Sequence, residues 1–182
     1  MRKPVSPALV AVSAVLLGAL AGCGGGSGPA PEMGTIRTAP PETTEPELPP
    51  VEPVADAECP YLSADEVARL SGQPVTDVRI DDGVEPAACF FYDSDGEVQL
   101  TTTVYSVASP ERAAELVEES APSDEAEPSQ ADGGWSGGHT VGLGGALVVL
   151  SRDARVLAVQ STQEDPTIAQ RIAELTAPRV AG

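Results

Sequence analysis

The one stretch whose residue types and spacing match a nucleophile is Gly134-Trp135-Ser136-Gly137-Gly138, followed by His139, the chain's single histidine. Gly-x-Ser-x-Gly activates a serine when a strand, a sharp turn and a helix hold it above an oxyanion hole, with the histidine arriving far downstream. Here no helix follows, glycines on both sides leave the backbone loose, and His139 comes three residues after Ser136. A domain of this length is also small for such a hydrolase fold. Catalysis by Ser136 and His139 is therefore not expected. The competing reading is a tryptophan anchor in a glycine turn, with Trp135 packed on a sheet or presented to a partner.

Other chemistry is thinner. Asp93-Ser94-Asp95-Gly96-Glu97 resembles the opening of a calcium loop, but the later ligands of a site wanting about 6–8 oxygens are missing. A turn built on the short acidic side chains explains the same residues. Asp81-Asp82-Gly83 reads as a turn, and Asp124-Glu125-x-Glu127 as a solvated face. No phosphate loop, dinucleotide fingerprint or Cys-His cluster is present, so neither a metal nor a cofactor is expected. Arg152 and Arg155 form a close basic pair and are read as offsetting nearby acids.

The three cysteines carry more information. Leu20-Ala21-Gly22-Cys23 ends an uncharged apolar run that begins at Ala8 behind Arg2 and Lys3. It resembles a bacterial lipobox, in which the leader is cut and the new N-terminal cysteine is acylated. The run is too short for a comfortable transmembrane span of ~20 residues. If Cys23 carries lipid, Cys59 and Cys89 remain, and they can pair in an oxidising compartment. A closed loop of about 30 residues would stabilise the fold by roughly 3.5 kcal/mol. The alternatives are two free thiols or half of a metal site. Zinc asks for about four ligands, and His139 alone supplies an imidazole, so a disulfide is expected.

The formal net charge is −18. Removing Arg2 and Lys3 with the leader leaves eight basic against 28 acidic residues, a net −20. Such a surface repels phosphate backbones, which excludes nucleic acid as a partner. It also repels anionic head groups, so membrane contact is expected through the acyl chains on Cys23 alone. The expected location is the extracytoplasmic face of the cell membrane.

The positioning elements follow from local signals. Residues 1–22 read as a signal peptide and 23–57 as a lipidated cysteine on a disordered Pro/Gly/Glu-rich tether. Proline-rich chain extends at ~3.1 Å per residue, so the tether could reach roughly 100 Å. Residues 58–182 read as a single domain. A first helix is signalled by a capping box of Ser63 and Glu66, a staple of Leu62 and Val67, and a stop at Gly72. Strands are expected at Val75–Ile80, Cys89–Tyr92 and Glu97–Val107. In the last of these, Val98, Leu100, Thr102 and Val104 share one face. A second helix opens at Ser109-Pro110, with Ala113, Leu116 and Val117 inward. Ser120 to His139 reads as a long acidic loop. Strands Ala146–Ser151 and Val156–Ser161 follow, after a weaker one near Thr140–Leu143. A last helix caps at Asp165 and buries Ile168, Ile172 and Leu175. This order predicts an α+β fold, an antiparallel sheet with helices packed on one face.

Four segments carry a family resemblance. They are Glu58-Cys59-Pro60-Tyr61-Leu62, Gly72-Gln73-Pro74-Val75-Thr76, Pro86-Ala87-Ala88-Cys89-Phe90-Phe91-Tyr92, and Gly134-Trp135-Ser136-Gly137-Gly138. Together they make the chain similar to an uncharacterised actinobacterial lipoprotein family, domain of unknown function two-thousand-twenty. The resemblance implies an actinobacterial source, a lipid-anchored envelope location and a Cys59–Cys89 disulfide, and it brings no activity. At fold level the chain also looks like envelope lipoproteins with a PsbP-like sandwich.

The expectation is a non-enzymatic binding or scaffold domain of the cell envelope. Its candidate contact surface is Trp135 with the aromatic strand Phe90, Phe91 and Tyr92, meeting an envelope protein or a small apolar ligand. The alternative is a small-molecule or lipid carrier with a cavity between sheet and helices.

Overall fold

The computed structural model describes residues 50–181. The leader, the motif Leu20-Ala21-Gly22-Cys23 and the tether as far as residue 49 lie outside the described residues.

Helix α1 (Ala64–Ser71) begins where its capping residues place it. Ser63 Oγ accepts from the Glu66 amide at 3.4 Å, and Glu66 Oε2 accepts from the Ser63 amide at 3.0 Å. This satisfies two of the donors that a helix start leaves open. Leu62 and Val67 are both buried, as a staple requires. Gly72 ends the helix at φ 70°, a left-handed conformation that glycine adopts without a Cβ penalty. Glu66 has a second duty, because Arg179 near the C-terminus donates to Oε1 at 2.7 Å and to Oε2 at 3.0 Å.

That fork, with help from the Ser63 amide, holds the Glu66 carboxyl down at about 2. A depressed acid stabilises the fold above its unfolded pKa, near 4.5, and the contribution is lost as pH falls towards 2. Arg179 is more than a third exposed, so solvent screening keeps the loss to about 1 kcal/mol. Denaturant midpoints measured from pH 5 to pH 2 should fall less steeply in Glu66→Gln than in the parent chain. Parallel slopes would rule this role out.

The sheet has eight strands: β1 (Ala55–Asp56), β2 (Asp77–Asp81), β3 (Ala88–Tyr92), β4 (Val98–Ser106), β5 (Glu127–Ala131), β6 (Trp135–Gly142), β7 (Gly145–Arg152) and β8 (Arg155–Ser161). Every pairing is antiparallel and the order is β1-β2-β3-β4-β8-β7-β6-β5. Helix α2 (Pro110–Ser120) links β4 at the centre to β5 at the far edge, and α3 (Pro166–Thr176) follows β8. The fold is α+β, as its element order predicts.

The layering differs from the expectation of helices on one face. Helix α3 packs Ala169, Ile172 and Ala173, with Val67 of α1, into one core with Phe91, Leu100, Val104, Leu157, Val159, Val148 and Leu150. Helix α2 packs Ala113 and Leu116 on the opposite face, against Val149 and Val156. The reason is visible in β7, where Val148 and Leu150 face one way while Leu147 and Val149 face the other. A strand apolar at both parities needs cover on both sides. In α3 the buried stripe is Ala169, Ile172, Ala173 and Thr176, while Ile168 and Leu175 are only half-buried at its margins.

Two further expectations are corrected. The stretch Ser120–His139 is not a loop, since β5 and the start of β6 lie within it as a hairpin turning through Asp132-Gly133-Gly134. Gly133 and Gly134 sit at φ 83° and 87°, which a glycine takes readily. Gly137 is imposed by crowding, because a Cβ there would lie 2.1 Å from the Val149 carbonyl oxygen. The sheet also begins earlier than Glu58. Ala55 and Asp56 pair with Ile80 and Arg79, and the Glu52 amide donates to Asp81 Oδ2 at 2.8 Å, inside the stretch expected to be tether.

Candidate functional site

Ser136 and His139 both lie on β6 and are separated by an odd number of residues, so their side chains leave opposite faces of the sheet. Ser136 is exposed and His139 is buried. The Gly-x-Ser-x-Gly pattern is therefore a hairpin turn running into a strand, without the strand-turn-helix geometry of a nucleophile elbow.

His139 instead meets residues that sequence patterns did not reveal. Ser129 Oγ lies 2.9 Å from Nδ1, Gln170 Nε2 lies 3.0 Å from the same nitrogen, and Glu127 Oε2 lies 3.5 Å from Nε2. Nδ1 thus lies within hydrogen-bonding distance of both the Ser129 hydroxyl and the Gln170 amide, and Gln170 Nε2 is also 3.5 Å from Nε2. The cluster ties α3 to the β5–β6 edge. The only sequence signal for it is the register, which sets Glu127 directly opposite His139.

The aromatic residues expected to face a partner do not form one surface. Trp135 and Phe91 are buried in the core beneath α1 and α3, at 1% and 0% exposure. Phe90 is also buried, and its position next to Phe91 in β3 sends it to the other face. Tyr92 is half-buried, with the Arg79 guanidinium 5.4 Å from its ring centroid. Trp135 is thus a core residue, and these four aromatic residues do not make one exposed surface.

Cys59 and Cys89 form a disulfide with Cα atoms 5.6 Å apart. Asp93 Oδ1 accepts from the amides of Asp95 and Glu97, at 2.9 and 3.1 Å, so this acidic run is the β3–β4 turn. Among the described residues no group of three or more His, Cys, Asp or Glu side chains could hold a metal ion. No helix among them is long and apolar enough to cross a membrane.

A cleft of about 740 Å³ opens next to the disulfide. Pro60 and Tyr61 form one wall, and the β2–β3 loop from Val84 to Ala87 forms another, with a cis peptide bond between Glu85 and Pro86. Tyr105 and Ser106 at the end of β4, Arg155 at the start of β8, and Arg179-Val180 complete it. Tyr61 is fixed by its hydroxyl, which lies 3.0 Å from the Ala87 carbonyl and 3.1 Å from Thr102 Oγ1. Burial pushes that hydroxyl up to about 12, so it stays a neutral donor. Burial also raises Tyr105, and the nearby Asp81 charge adds to the effect. Between sheet and helices, where a carrier cavity was expected, the described residues form a cavity smaller than the cleft. The cavity between β5 and α3 measures about 210 Å³.

These features define a three-layer α+β domain on an open antiparallel sheet, with a disulfide-braced cleft at the end of its central strands. The chain belongs to the family described as Domain of unknown function (DUF2020), whose sequence profile matches residues 41–181. No curated protein matches it.

Proposed function

We propose that the chain is a non-enzymatic binding domain of the cell envelope, anchored by lipid at Cys23 on the extracytoplasmic side, and that a small ligand occupies the cleft beside the disulfide. The cleft carries this reading. Its volume lies within the ~300–1,000 Å³ of small-molecule sites, and its walls are mainly apolar and aromatic with a few fixed polar groups. Rigid supports surround it: the Cys59–Cys89 bridge, the bound Tyr61 hydroxyl, and Arg179 clasping both Glu66 and the Tyr61 carbonyl. The smaller space between sheet and α3, about 210 Å³, moves the carrier idea to this end of the molecule. The leader and lipobox support the location, and the acidic surface supports an acyl anchor over direct lipid contact.

Calorimetric titration of the full chain with eight-carbon probes, octanoate and 1-octanol, tests the site. At least one should bind saturably, and Ser106→Trp, at an exposed position on the cleft rim, should weaken it about tenfold or more. Absence of saturable binding, or equal affinity in Ser106→Trp, would remove the cleft as the ligand site. The same chain should remain unlabelled by a fluorophosphonate probe, and labelling would overturn the non-enzymatic reading.

A further inference from the structure

Arg155 is the residue in the cleft whose chemistry the fold does not consume. Its partner in the fold is the Val180 carbonyl, which accepts from Nη1. Among the described residues no carboxylate comes within ion-pairing distance of it. Arg79, Arg112, Arg152 and Arg179 each have one within 3.5 Å, while Arg69 and Arg171 share the lack of one but do not line the cleft. The contrast is informative in a chain with 28 acids against ten bases. A guanidinium carries five donors and cannot lose its charge, so a half-buried one with a single neutral acceptor is left largely uncompensated.

A second observation points the same way. Arg155 stands directly opposite Arg152 across the β7–β8 hairpin. Like charges in that arrangement repel. Arg152 leans on Asp153 at 3.5 Å, an acid so exposed that it screens little. Arg155 also forms the wall between the large cleft and a smaller cavity of about 280 Å³ that Arg152 lines with Trp135. The remaining cations and acids of the cleft are accounted for. Arg179 is spent on Glu66 and the Tyr61 carbonyl, and Glu85 sits exposed at the mouth.

We infer that the ligand is an amphiphilic anion, whose carboxylate or phosphate head is held by Arg155 while its apolar body lies against Tyr105, Pro86 and Val84. This rests on the cleft being the ligand site and adds the chemical class. Planar guanidinium matches either oxyanion through paired N–H donors, and charge-assisted bonds of this kind outweigh neutral ones. The apolar walls supply the rest of the affinity without selecting a head group.

The test titrates the full chain with octanoate, octyl phosphate and 1-octanol. The parent chain should bind at least one of the anions about tenfold or more tightly than the alcohol. Arg155→Gln should erase that difference, Arg155→Lys should retain part of it, and Arg69→Gln, at a cation that does not line the cleft, should leave it intact. The stronger of the two anions identifies the head group as carboxylate or phosphate. Thermal unfolding of each variant separates loss of binding from loss of the Val180 contact, and Arg155→Lys serves if Arg155→Gln fails to fold. If the alcohol binds as tightly as both anions, with Ser106→Trp still abolishing binding, the anion inference is overturned and the cleft stands. If no probe binds, both fall.

Discussion

Removing the Cys59–Cys89 bridge by a Cys59→Ala, Cys89→Ala double replacement should lower the unfolding free energy of the full chain by about 3.5 kcal/mol. The estimate follows from the loop it closes, whose ends are 30 residues apart. For a domain of this size the loss corresponds to roughly 10–15 °C in Tm. The effect should reach function as well as stability. The closed loop contains α1 and β2, and with them Pro60-Tyr61 and the Val84–Ala87 segment that face each other across the cleft. Guanidinium unfolding of oxidised and reduced protein measures the first effect, and probe titration measures the second. An unfolding midpoint indifferent to reductant would mean that the bridge contributes nothing.

Trp135→Ala should be about as damaging, costing about 3–5 kcal/mol, because it empties the largest fully buried side chain of the core. Had Trp135 been a surface anchor, the same change would fall within about 0.5 kcal/mol. Trp135→Phe refines the prediction. The indole Nε1 is buried without a hydrogen-bond partner among the described residues. Its removal recovers part of the cost of burying that group, so Phe should lie much closer to the parent than to Ala. Urea midpoints for the three proteins decide the matter. A stable Trp135→Ala chain would return Trp135 to the surface.

Trp135 also marks what the sequence could and could not disclose. Features governed by neighbours in the chain were legible: the Ser63–Glu66 box, the Gly72 stop, the Ser109-Pro110 and Asp165-Pro166 starts, and the alternation of β4. The β5–β6 hairpin was not, because Glu-Pro-Ser-Gln-Ala and Ser-Gly-Gly-His are poor strand formers by composition. They are strands because β7 is already there, and Gly137 is needed where β6 presses on the Val149 carbonyl. Whether Trp135 faced in or out depended on that pairing, which local pattern does not encode. The apolar parity of β7 announced cover on both faces, but α2 could be assigned to the second face only after β5 was placed at the far edge. The cleft was invisible for a different reason. Its walls come from five separate segments between Pro60 and Val180, and no motif links them. In sequence Arg155 reads as half of an ordinary surface pair, and only its surroundings show that no acid among the described residues answers it.

The ends of the sheet bear on how many copies can share a surface. An open sheet exposes unpaired amide rows at both margins, and neighbouring molecules can zip together through them. Here one margin is β1, which stops after two residues, and the other is β5, which carries exposed Glu127 and Pro128. Proline has no amide to lend, and the glutamate sets negative charge where a second copy would approach. Brought side by side, such molecules would find too short a row to pair at β1 and like charge at β5, and would stay separate, each with its own cleft open.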